Sequence, residues 1–146
     1  MKVVVTGQPF DPWQQVQTRQ IDGLKGDAAG FGATAVFVGT MRDFNEGDAV
    51  QGMFLEHYPG MTERYLEKIS VEAAARWELV DTLIVHRVGE LQPADPIVLV
   101  AVWSAHRKEA FEACRWLMEE LKSSAPFWKK EQLKDGSRWV EHNTTG

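Results

Sequence analysis

The chain has 146 residues, 44% of them hydrophobic and 25% charged, with 16 basic against 21 acidic side chains and a formal net charge of −5. That balance excludes a disordered, collagen-like or coiled-coil chain, and the length suffices for a core without disulfide or metal staples. It also argues against a protein that binds nucleic acid over its whole surface, which needs net positive charge to release counterions.

The lone cysteine, Cys114, excludes an internal disulfide and a multi-cysteine zinc site. No apolar run reaches the roughly 18–20 residues that span a bilayer, and the first residues are too short for a secretory hydrophobic region. A cytoplasmic protein with no membrane partner is the expectation, organised as one domain over residues 1–146.

In chain order, residues 2–6 read as a strand. Asp11-Pro12 is a helix start, because Asp caps and Pro fits the first helical position. That helix runs to about Arg19, and the glycines at 23, 26 and 30 mark a loop. Residues 33–41 are small and β-branched, hence a buried strand. Asn45-Glu46-Gly47-Asp48 is a turn, followed by a strand over 50–58 that Pro59-Gly60 breaks. Residues 61–77 read as an amphipathic helix: Met61, Tyr65, Ile69 and Ala73 step by four, widened by Leu66 and Ala74. Residues 79–88 and 96–103 are strands joined through Pro93-Ala94-Asp95. A second long helix covers 105–122, with Phe111, Cys114, Leu117, Met118 and Leu121 on one face. Pro126 closes it, since the residue before a proline avoids helical geometry. Residues 127–133 and 138–141 flank Asp135-Gly136 as a hairpin. The class is α+β, with a mainly antiparallel or mixed sheet and two long helices. Neither a dinucleotide fingerprint nor a P-loop occurs.

Residues 107–138 hold eight basic and six acidic side chains, a local balance of +2, against −6 for residues 1–106. That excess fits an anion site or an ordinary solvated helix face. His106 and Arg107 open a helix directly after an apolar strand, where backbone N–H groups and the helix dipole favour an anion. His106 as a plain surface or capping residue is the alternative. Lys122 and Lys129 lie either side of Pro126, so a turn there would bring their ammonium groups together and depress their pKa values. Two exposed lysines are the ordinary reading of that spacing. Arg42 ends a buried strand, at a cleft or on a rim. Cys114 falls on the apolar stripe and reads as core. His57 and His86 sit in strands as satisfied, half-buried side chains. No metal-ligand spacing and no nucleophile triad stands out.

Several segments together resemble a known family. They are Gly39-Thr40-Met41-Arg42, Leu55-Glu56-His57-Tyr58-Pro59-Gly60-Met61, His86-Arg87-Val88-Gly89-Glu90-Leu91, Ser104-Ala105-His106-Arg107 and Ala125-Pro126-Phe127-Trp128-Lys129-Lys130-Glu131, with Arg138-Trp139-Val140-Glu141 closing the series. Their order and spacing, over residues 2–141, are similar to the large, catalytic subunits of molybdopterin synthases. The resemblance implies an α/β hammerhead fold with a small β-rich subdomain. It implies a homodimer that carries a ubiquitin-like sulfur-carrier subunit at each end, a heterotetramer in all. It further implies a sulfurtransferase that moves two sulfurs from the carrier's C-terminal Gly-Gly thiocarboxylate to cyclic pyranopterin monophosphate. The product is the dithiolene of molybdopterin, a step of molybdenum cofactor biosynthesis that needs no cofactor or metal here. By the same resemblance Lys122 is the main catalytic group and Lys129 assists it. Thr40, Met41, Arg42, His106, Arg107, Lys130 and Glu131 bind substrate, with Glu131 orienting a lysine. Relatives often have Val before the arginine equivalent to Arg42 and Asn-His after it, where this chain has Met41 and Asp43-Phe44. Two other classes compete: a non-catalytic module for a ubiquitin-like tail or phosphorylated ligand, and a phosphate-ester hydrolase built on His106 and Arg107.

Overall fold

A computed structural model describes residues 1–24, 30–45, 48–133 and 136–140. The turn residues Glu46-Gly47 and Lys134-Asp135, Gly26 of the early loop and the expected strand end at Glu141 lie outside the described residues. The strands are β1 (Lys2–Thr6), β2 (Ala33–Thr40), β3 (Phe44–Asn45), β4 (Asp48–His57), β5 (Leu79–Arg87), β6 (Gly89–Leu91), β7 (Pro96–Ser104), β8 (Phe127–Leu133) and β9 (Gly136–Trp139). The helices are α1 (Pro12–Thr18), α2 (Met61–Arg76) and α3 (Arg107–Ser124).

The main sheet has the order β1-β5-β7-β2. Its one parallel pair is β1 with β5, and the other two pairs are antiparallel. Strands β5 and β7 are buried on both faces; β7 is an almost unbroken apolar run, whereas β5 also buries Asp81, Thr82, His86 and Arg87. Against one face pack α2 and α3, through Leu66, Ile69, Ala113 and Leu117 onto Ile84, Val100 and Val102. On the other face Leu24, Leu83, Val85, Leu99 and Trp103 form a second core, with Phe10 and Val16 at its margin. Trp103 is buried there and donates from Nε1 to Gln20 Oε1 at 3.2 Å. Gln20 lies in a π-helical turn, Arg19–Gly23, that extends α1 into the stretch expected to be loop.

The second sheet runs β3-β4-β8-β9, with β6 also paired to β4, and all of its pairs are antiparallel. Its small core is Met41, Met53, Leu55 and Leu91. The expected hairpin is present as β8 and β9, with Leu133 opposite Gly136. Strand β6 was not anticipated from the sequence.

Both helical stripes differ from expectation. Met61 is 52% exposed and Phe111 67% exposed, whereas Thr62 and Ser70 are buried in α2. Thr62 Oγ1 accepts from Tyr58 N and donates to Pro126 O, each at 3.2 Å, and Ser70 Oγ donates to Leu66 O at 2.8 Å. Satisfied hydroxyls remove the burial penalty that a polarity pattern assumes. The buried stripe of α2 is therefore Thr62, Leu66, Ile69, Ser70 and Ala73.

Candidate active site

The decisive local event is the end of α3. Pro126 forces Ala125 into extended geometry (φ −66°, ψ 138°), and Ala125 N–H closes the last turn on Leu121 O at 3.2 Å. Lys122 sits in that last turn, where the negative end of the helix dipole favours a cation. The chain then enters β8 and pairs with β4, placing Lys129 opposite Leu55 and Phe127 opposite His57. Successive strand side chains alternate faces. Phe127 and Lys129 consequently turn toward the end of α3.

The result is a cavity of about 320 Å³ between the two sheets, walled by Thr40, Arg42, His86, Lys122, Phe127 and Lys129, with Phe37 and Gly39 at the β2 side. Gly39 is needed there: a Cβ would come within 2.8 Å of Val98 Cγ1 and 3.2 Å of the Phe37 ring. Burial, then the charge of Lys122 and contact with it, push the Lys129 amine down to about 8, with Arg42 acting in the same direction and Glu131 opposing. Lys129 therefore gives up its proton above about pH 8, well below an ordinary lysine.

At the cavity floor the His86 ring stacks on Phe127, with centroids 4.0 Å apart and planes 17° from parallel. Glu131, two residues beyond Lys129, is 5% exposed and accepts from Arg138 Nε at 3.0 Å. That ion pair ties β8 to β9 beside the lysines.

Four of the expected site residues meet in this cavity: Thr40, Arg42, Lys122 and Lys129. Met41 does not line it. Its side chain is buried with Met53, Leu55 and Leu91, and its backbone bridges Asp95 O (2.9 Å) and Ala94 N (2.8 Å). Lys130 points to the other face of β8, with its ammonium 5.6 Å from the Trp139 ring centroid. There it borders a separate groove of about 600 Å³ that also has Glu56 and Glu90 on its wall. That groove is larger, but two carboxylates beside its lysine suit an anionic substrate less well than the cavity holding Arg42, Lys122 and Lys129. His106 and Arg107 are exposed at the opposite end of α3. Fifteen residues of helix separate Arg107 from Lys122, about 22 Å, so one chain does not bring them to the lysines.

The family model described as MoaE protein matches residues 5–124. The chain belongs to the MoaE protein family. It is 51% identical over 141 residues to the molybdopterin synthase catalytic subunit of Pseudomonas aeruginosa, covering 97% of this chain and 91% of that one. Among solved structures it is similar to the molybdopterin biosynthesis MoaE protein of Burkholderia ambifaria, with a TM-score of 0.79 and 45% identity, covering 100% of this chain and 93% of that chain. The molybdopterin synthase of Staphylococcus aureus also has a TM-score of 0.79, at 34% identity and 96% coverage of each chain.

Within this MoaE-family fold, sequence reasoning missed His86, Phe127 and Phe37 as parts of the cavity. The available signal was the alternation of β8, which puts Phe127 and Lys129 on one face, and Lys130 on the other. Cys114 is a core residue as expected: it is buried, donates weakly to Val100 O at 3.7 Å, and burial raises its thiol to about 11. Among the described residues no group of three His, Cys, Asp or Glu side chains is arranged to hold a metal ion, and no helix is long and apolar enough to cross a membrane.

Proposed function

We propose that the chain is the catalytic subunit of a molybdopterin synthase, acting as one domain over residues 1–146 in the cytoplasm. The observation that carries this reading is the juxtaposition of Lys122, Lys129 and Arg42 in one cavity of a MoaE-family chain. Each cycle forms a C–S bond between the sulfur of a ubiquitin-like carrier's C-terminal thiocarboxylate and an oxygen-bearing carbon of cyclic pyranopterin monophosphate. The C–O bond of that carbon breaks, with the oxygen leaving in protonated form or with phosphate, while the bond from sulfur to the carrier's acyl carbon is hydrolysed. Water adds its oxygen to that acyl carbon, so the carrier departs as a carboxylate. Two carriers in turn give the dithiolene.

In this reading Arg42 and Thr40 hold phosphate and pterin oxygens, the guanidinium through paired hydrogen bonds. Lys122 polarises the thiocarboxylate or the reacting carbon. Lys129 accepts a proton near neutral pH, the task its depressed pKa suits. Glu131 acts on Lys129 through its charge while held by Arg138. His106 and Arg107 serve as anion contacts to the substrate only if a second copy supplies them, which makes the homodimer a functional requirement. Lys130 and Met41 act from outside the cavity, Met41 by fixing the strand end that carries Arg42.

A rate that depends on neutral Lys129 has a defined pH profile. With thiocarboxylated carrier in excess, kcat rises from pH 6.5 with its midpoint near 8 and levels off roughly one pH unit higher. A profile flat from 6.5 to 9 contradicts the assignment of Lys129 as the proton acceptor.

A further inference from the structure

Arg42 lines the cavity with Lys122 and Lys129, yet it lies beyond the last residue of β2 and is exposed. What holds it comes from the neighbouring strand. The β2–β7 ladder slips between Gly39 and Thr40, and Thr40 then faces Pro96. Proline has no N–H, so β7 cannot donate to β2 at that point. The turn before Pro96 takes over. Met41 N donates to Asp95 O at 2.9 Å, and Ala94 N donates to Met41 O at 2.8 Å. One residue thus opposes two, the arrangement of a β-bulge. The turn itself is closed twice: Asp95 N donates to Gln92 O at 3.0 Å, and Asp95 Oδ2 accepts from Gln92 N at 2.8 Å. Pro93 in second place and a positive φ in third are the signature of a type II turn. The third residue is Ala94, with φ 75°, where glycine is the residue of least strain. Such a conformation persists only where its surroundings over-determine it. Here they do so through four hydrogen bonds and through the Met41 side chain, 5% exposed in one core with Met53, Leu55 and Leu91. The main chain is therefore clamped one residue before Arg42.

We propose that the turn 92–95 is a bracket that positions Arg42, with Asp95 as its positioning residue. The Asp95 side chain closes the turn, the turn clamps Met41, and the clamp holds the guanidinium of the next residue ready for an anion beside the two lysines. Asp95 is not part of the cavity wall and acts only through Arg42. That the anion is the phosphate of the pterin rests on the proposed function, whereas the bracket and its effect on anion binding are properties of the chain alone.

The test uses the full chain with Asp95→Ala, which removes the acceptor that closes the turn, and Asp95→Asn, which keeps one. Hydrogen exchange of the Met41 amide, read by NMR, quickens about tenfold in Asp95→Ala and stays near the wild-type rate in Asp95→Asn. Inorganic pyrophosphate, titrated by calorimetry, probes the cavity cations without any carrier. Its Kd rises about fivefold in Asp95→Ala and holds in Asp95→Asn. Adding Asp95→Ala to Arg42→Ala raises it no further, because the group being positioned is already gone. In the sulfur-transfer assay KM for the pterin rises by about the same factor in Asp95→Ala, with kcat unchanged. Unaltered Met41 exchange or unaltered pyrophosphate binding in a folded Asp95→Ala protein overturns the proposal, as does a wild-type chain that binds no pyrophosphate. An equal loss in both Asp95 variants, or a loss that persists in the Arg42→Ala background, also overturns it, since general loosening of the fold produces that result. The expected exchange and pyrophosphate effects, with no sulfur transfer by any form including wild type, sustain the bracket and refute the functional reading instead.

Discussion

Replacing Lys129 by Met abolishes turnover while making the protein more stable at pH 7. Loss of the proton acceptor costs about a hundredfold to ten-thousandfold in kcat, measured as molybdopterin formed per active site. The stability gain follows from the sign of the pKa shift. The folded-state value of Lys129 lies below that of an unfolded lysine, chiefly through burial and then the Lys122 charge. Between pH about 8 and 10.5 the unfolded chain binds more protons, so wild-type stability rises with pH across that window. Below about 8 the amine is charged in both states and the folded protein bears the full penalty. An apolar side chain of similar length removes it. Urea midpoints at pH 7 should therefore rank Lys129→Met above wild type, and the difference should shrink toward pH 10. A variant that is inactive and also less stable at pH 7 would mean that Lys129 is a structural group.

Leu117→Ala produces the largest stability loss expected from a single truncation in α3. Leu117 is fully buried in the core that α3 shares with α2 and the main sheet. Truncation removes its transfer free energy and leaves a cavity, together about 3 kcal/mol. For a chain of this size that is about a 10 °C fall in Tm. Phe111→Ala on the same helix is the control. Its ring is mostly exposed, so the change costs well under about 1 kcal/mol. Comparable losses in the two variants would overturn the observed placement of the helix face.

That contrast shows where the sequence was legible. The bounds of α3 followed from an apolar strand before it and a proline after it, and Asp135-Gly136 pointed to the β8–β9 hairpin. The main strands were readable because β7 is apolar nearly throughout and β5 has an apolar centre, Leu83-Ile84-Val85. The faces of the helices were less so. Thr62 and Ser70 take buried positions because their hydroxyls find partners in Pro126 and Leu66, contacts no periodicity reveals. The proximity of Lys122 to Lys129 was visible only as two lysines across a helix-breaking proline, a spacing equally consistent with two exposed side chains. Pairing of β8 with β4 turns that spacing into a site. The same pairing sends Lys130 to the other face, as strand alternation requires. His86 escaped notice because a histidine within an apolar strand looks like any satisfied core residue until Phe127 and the lysines are set against it.

In the proposed function the cavity holding Lys122 and Lys129 performs sulfur transfer. Single-turnover conversion of cyclic pyranopterin monophosphate by this protein and a thiocarboxylated carrier tests it, with molybdopterin read as its fluorescent oxidised derivative. Product is expected with the wild-type chain and a loss of at least about a hundredfold with Lys122→Ala, while carrier binding measured by calorimetry is unchanged. Product formed at the wild-type rate by Lys122→Ala, or none formed by a wild-type protein that binds the carrier tightly, would contradict it.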